Sequence, residues 1–154
     1  MTITNRNPIT PLQRAIVARL RADTTLASLL APIKDVTPAT PAVVDQAPEG
    51  QAKPYVRIGD HLSIPDNDQT SFGREITETL HVWTYTRSSK PGQDIANAIT
   101  SSLDHKVAEI SALLAADGHK CVTIRQEFDQ ALEDPDPQIR HHVVRFRIQT
   151  QQLT

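Results

Sequence analysis

Histidines, carboxylates and arginines are the residues of this chain with chemistry to offer, and their spacing limits what they can do. His141 and His142 are adjacent in an alternating segment. Strand neighbours point to opposite faces, so these two do not share one metal ion. His61, His81, His105 and His119 are scattered, without the helical i, i+4 pairing that builds a zinc site. Carboxylates cluster twice, in Asp60, Asp66 and Asp68 and in the turn Glu133-Asp134-Pro135-Asp136-Pro137. The run Asp66-Asn67-Asp68-Gln69-Thr70-Ser71 lacks the glycine that a calcium loop carries at its sixth place. The second cluster reads as a stiff proline turn with few oxygen ligands.

Nucleophiles and phosphate loops fare no better. Ser71 and Ser101-Ser102 have no nucleophile-elbow context. The five glycines never come close enough together to cradle a phosphate. Cys121 is the single cysteine, which excludes an internal disulfide and a cysteine-based zinc site; its apolar strand predicts a buried thiol. A small metal-dependent hydrolase using His141 and the acidic loop has no motif behind it. The residues call for no metal, no cofactor and no enzyme.

The arginines are the remaining signal. In His141–Thr150 the side chains alternate: Val144, Phe146 and Ile148 take one face, Arg145, Arg147 and Gln149 the other. Arg125 falls on the same wet parity of the preceding strand, and pairing the two strands gives a basic patch facing Glu127 and Asp129. Two readings stay open. One is cross-strand charge pairing on a solvated face; the other is a contact between subunits, where the planar guanidinium fork suits a partner's carboxylates. Trp83 and Tyr85, with His81, form an amphipathic stripe that either packs under the protein's own helices or anchors an interface. Asp66 and Asp68 complete the candidate interface as exposed loop carboxylates.

These residues must be held by elements that the pattern also marks. Thr10 to Leu20 is a helix with Thr10 as N-cap, Pro11 at its first position and Leu12, Ile16 and Leu20 on one face. A short second helix starts at Asp23 or Thr24 and stops before Pro32. Residues 32–53 break all periodicity and predict an extended arm, with Val43-Val44 at most a very short edge strand. Tyr55–Gly59 is a strand, 60–74 a loop or long hairpin tip, and Glu75–Thr86 a strand with Ile76, Leu80 and Val82 inward. A helix follows from near Pro91, either continuous or broken around Asp104-His105, and Gly118 ends it in the left-handed conformation. His119–Asp129 is a strand with Val122, Ile124 and Phe128 inward and an irregularity at Gln126. The closing strand runs from Ile139 to Thr150. The order predicts an α+β fold: a small, mostly antiparallel four-stranded sheet of two hairpins joined by a long helix, with helices on one face.

Size and charge agree. The 154 residues suit one domain, and a 38% apolar fraction with 4% aromatics leaves a core of Leu, Ile, Val and Ala. A net charge of −2 asks for neither nucleic acid nor an anionic membrane. No apolar run reaches the length of a membrane span, and the segment from Met1 to Pro8 lacks a signal peptide's apolar stretch, so a soluble intracellular protein is expected.

In order, Pro11–Ile16, Pro54–Gly59, Thr79–Thr84, Ile95–Ile99, Asp134–Asp136 and Arg140–Arg147 resemble segments of the tail-terminator or tail-completion proteins of long-tailed bacteriophages and gene transfer agents. The strands Tyr55-Val56-Arg57-Ile58-Gly59, Leu80-His81-Val82-Trp83 and Arg145-Phe146-Arg147 carry the resemblance best, and it spans most of the chain. It implies a structural virion protein forming a homo-oligomeric, hexameric ring on the end of the tail tube. That ring would end tube polymerisation and present a docking surface to the head–tail connector or stopper. The implied partners are the tail tube protein and the connector, with DNA passing through the lumen without specific binding. The implied place is the head-proximal end of the virion tail, after assembly in the bacterial host cytoplasm. The alternative is a head–tail joining protein or another minor morphogenesis component.

Overall fold

The computed structural model describes residues 3–153; of the expectations above, those resting on Met1, Thr2 and Thr154 lie outside it. The N-terminal helix α1 (Ile9–Ala22) buries Leu12, Ile16 and Leu20. It starts two residues earlier than expected: Pro8, not Thr10, is its N-cap, and the Asn7 carboxamide oxygen accepts the Ile9 N–H at 3.0 Å. Thr10 and Pro11 then sit inside the first turn, where a proline's missing N–H is no loss. Helix α2 (Thr24–Leu29) is capped by Asp23, whose carboxylate accepts the Leu26 N–H at 2.9 Å.

Among the described residues the sheet has five strands, not four. They are β1 (Val43–Val44), β2 (Tyr55–Pro65), β3 (Gly73–Tyr85), β4 (His119–Glu133) and β5 (Ile139–Gln152), in the spatial order β1-β2-β3-β5-β4. β1 lies parallel to β2 and the other pairs are antiparallel, so the sheet is mixed. The added strand is the Val43-Val44 pair, which is buried and hydrogen-bonded beside β2. The rest of 32–53 is tied back at Gln51: its side chain donates to the Pro32 carbonyl at 2.8 Å and accepts from the Lys34 N–H at 2.9 Å. The loop expected over 60–74 shrinks to 66–72, because His61 to Pro65 pair with Glu78 to Arg74 and lengthen the hairpin.

Between the hairpins the helix is broken where the phase slips. Helix α3 (Lys90–Leu103) stops at Asp104, His105 takes a φ of 59°, and α4 (Val107–Leu114) resumes. A short 3-10 turn (Ala115–Asp117) leads to Gly118, whose φ of 79° closes the helical segment as expected. All helices lie on one face of the sheet. There α1, α3 and α4 meet Ile76, Leu80, Val82, Ile124, Val144, Phe146 and Ile148, all at most 1% exposed. Burying each such side chain contributes on the order of 2 kcal/mol.

Strand β4 departs from its expected parity. Cys121 and Ile124 are buried, whereas Val122 is 45% and Phe128 39% exposed. Two register shifts, between Cys121 and Thr123 and between Gln126 and Phe128, each insert one residue and turn the following side chains over. The Cys121 thiol is buried and pushed up to about 11 by that burial.

Candidate assembly surface

Period-two alternation assigns the face of the sheet that no helix covers. Residues 75, 77, 79, 81, 83 and 85 of β3 stand level with 149, 147, 145, 143, 141 and 139 of β5. Beyond them, Thr123, Arg125, Phe128 and Leu132 of β4 continue the rows, as do Leu62 and Ile64 of β2.

The expected arginine patch is a charge ladder. Arg147 reaches Glu127 at 2.7 Å with one guanidinium nitrogen and Glu75 at 3.3 Å with the other. Arg145 meets the second oxygen of Glu127 at 3.3 Å, and its guanidinium lies 5.8 Å from the centre of the Phe128 ring. Asp129, expected on this face, is turned to the other side by the bulge before Phe128, where it lies 3.8 Å from His142. Arg125 stands directly opposite Arg147 and forms no ion pair among the described residues. Two like charges at that spacing repel, and Glu75 and Glu127 offset the repulsion. Partly exposed pairs of this kind add at most about 1 kcal/mol each, so the ladder shapes the field of the face more than it holds the fold.

Trp83 lies on this open face and not under the helices. Its ring stacks on His141 with centroids 3.9 Å apart and planes 7° from parallel. His141 Nε2 is 2.7 Å from His81 Nδ1. Burial pushes both imidazoles below their ordinary value; nearby Arg57 adds to the effect at His81, and the two histidines' mutual repulsion adds to it at His141. Both shifts favour the neutral rings, in which one nitrogen of the close pair donates and the other accepts. Gly59 lies under the His81 ring: a Cβ there would strike that ring and approach the Thr79 carbonyl oxygen to 2.9 Å. Tyr85, 61% exposed, ends the row beside Ile139.

Asp66 and Asp68 stand at the opposite end of the sheet, in the β2–β3 turn. The Asp68 carboxylate accepts the N–H groups of Thr70 at 2.7 Å and Ser71 at 2.6 Å, and these bonds hold it below the usual carboxylate range. It is tied up in shaping its own turn. The seven candidate residues thus form no single cluster. Arg145 and Arg147 meet, Trp83 and Tyr85 share one end, and the two aspartates occupy the other.

One buried group escaped the pattern reading although its parity marks it. Glu78 sits between Ile76 and Leu80 on the core side, 1% exposed, with neither carboxylate oxygen hydrogen-bonded among the described residues. Burial pushes it up to about 8, and Asp45 and Asp60 add to the shift against an opposing contribution from the Gln13 amide. It is a neutral acid at pH 7. Among the described residues no group of three or more His, Cys, Asp or Glu side chains converges to hold a metal ion, and no helix is long and apolar enough to cross a membrane.

Comparison with known proteins bears on what such a face is for. The family model described as tail completion protein gp17 matches residues 14–151. The tail completion protein gp17 of Bacillus phage SPP1 is 31% identical over 109 residues, which are 68% of this chain and 76% of that protein. A chain in the virion of a native gene transfer agent particle superposes with a TM-score of 0.75 at 21% identity, over 96% of this chain and 99% of that one. At that identity the superposition speaks for the fold.

Proposed function

The chain belongs to the tail completion protein gp17 family, a structural protein of the virion tail and not an enzyme, and from that premise we propose that it caps the end of the tail tube as a ring. The ring ends tube polymerisation and forms the docking surface for the head connector. The observation that carries this reading is the family match across nearly the whole domain. The fold supports it physically. A cyclic contact needs two different patches on each copy, and here every helix lies on one face while the other is left to a charge ladder and an aromatic stack.

Within this reading the copy number is six. Arg125, Arg145, Arg147, Trp83 and Tyr85 line a contact between copies or the ring lumen, and Asp66 and Asp68 meet a partner at the hairpin tip. The partners are a second copy, the tail tube protein and the connector or stopper. DNA threads the lumen without specific binding, as the net charge of −2 suits. The ring sits at the head-proximal end of the tail and is assembled in the host cytoplasm. Size-exclusion chromatography with light scattering, on the protein alone and mixed with tail tubes, tests it: a ring in either sample supports the reading, and a strict monomer in both contradicts it.

A further inference from the structure

We propose that the ring closes by strand pairing, the open half of β2 in one copy against the open half of β4 in the next. The inference rests on the ring reading above and names the contact that makes it.

The outward sides of β2 and β4 are each covered over one half only. β1 accompanies β2 at Val56 and Arg57 and no further. The Val56 N–H donates away from the sheet, to the Ala42 carbonyl at 2.8 Å. Alternation, carried across the extra residue between Ile58 and His61, turns the amides of His61 and Ser63 to that same, open side. Pro65 ends the strand where the next outward amide would be. On the opposite edge, the first half of β4 is capped. The Ser111 hydroxyl bonds both the N–H and the carbonyl of Cys121 at 3.0 Å, the His105 N–H donates to Ile124 at 2.9 Å, and the Asp104 carboxylate takes the Gln126 N–H at 2.8 Å. Past the bulge, the amides of Asp129 and Ala131 face outward, and among the described residues no acceptor takes them.

The two open halves lie at opposite ends of the sheet. Ile64 is level with Glu75, Gln149 and Thr123, whereas Ala131 is level with His142, Val82 and Val56. Successive antiparallel pairings make β4 run opposite to β2, so a neighbour's β2 laid along β4 continues the antiparallel order with a stagger. Joining unlike edges of identical copies is a heterologous contact, the kind that closes rings. The side chains fit it. Leu62 is 55%, Ile64 50% and Phe128 39% exposed, all on the helix-free face, where a continued sheet brings them together. Exposed apolar side chains on both edges, beside the unpaired amides, mark a surface made to be covered.

Ser63→Pro and Ala131→Pro each remove one outward amide and leave the inner ladder whole. Each variant is expected to keep the wild-type circular dichroism and to form no ring, alone or on tail tubes. Mixed, they should stop at a one-to-one dimer, since one variant keeps its β4 edge and the other its β2 edge. Rings from either folded variant would overturn the proposal. Should a proline variant not fold, Leu62→Lys and Phe128→Lys carry the same expectation. If the wild type makes no ring under either condition, the ring reading itself fails; if wild type and variants make rings alike, only the strand pairing fails.

Discussion

His81 Nδ1 stands 2.7 Å from His141 Nε2, and Trp83 covers the second of these rings. Both imidazoles are held below their ordinary value, so the folded protein binds fewer protons here than the unfolded chain. Stability from this pair is present above about pH 6.5 and is lost as the pH falls through the lowered folded values. His141→Gln is expected to flatten the fall in melting temperature between pH 7 and pH 5. Equal slopes for variant and wild type would count against a shared-proton pair.

Glu78 titrates in the opposite sense. Its folded value of about 8 lies above the ordinary carboxyl value of 4.5, so the stability it allows is full below pH 4.5 and is lost as the pH rises towards 8. Each unit of that interval is worth about 1.4 kcal/mol. Glu78→Gln keeps the shape of the neutral acid and is expected to raise stability at pH 8 by a few kcal/mol and to do little at pH 4.5. Urea unfolding at the two pH values measures this, and a variant no more stable at pH 8 would mean that the carboxylate is not held neutral.

Gly59 is held to glycine by the residues above it. A methyl group there meets the His81 ring and the Thr79 carbonyl, so Gly59→Ala is expected to cost about 1–3 kcal/mol and to displace His81 from His141. The near-ultraviolet circular dichroism of Trp83, the chain's single tryptophan, reports the stack. An unchanged spectrum with unchanged stability would show that the ring moves aside freely.

These groups also mark where pattern reading holds and where it stops. Val144, Phe146 and Ile148 fall inward as their alternation requires, and Gly118 takes the left-handed turn that its position after a helix suggests. Period two survives only while the register does: two extra residues in β4 put Val122 and Phe128 outside, and only the second of them was marked in the sequence, by polar Gln126 on an apolar parity. The pairing of His81 with His141 joins residues 60 positions apart and depends on a register that neither strand carries alone. Glu78 was legible, since its parity places it between Ile76 and Leu80.

Arg145 and Arg147 offer a test that separates fold from assembly. Their ion pairs with Glu127 and Glu75 are partly exposed and add little to stability. The double variant Arg145→Glu and Arg147→Glu is expected to fold with a modestly lower melting temperature and to fail in assembly. Unchanged assembly would return both to ordinary surface charge.

We propose that this protein ends the growth of the tail tube. Negative-stain images of particles produced without it test that most directly. Overlong tubes are the expected result; tails of normal length, detached from full heads, would contradict it and point to a joining role instead.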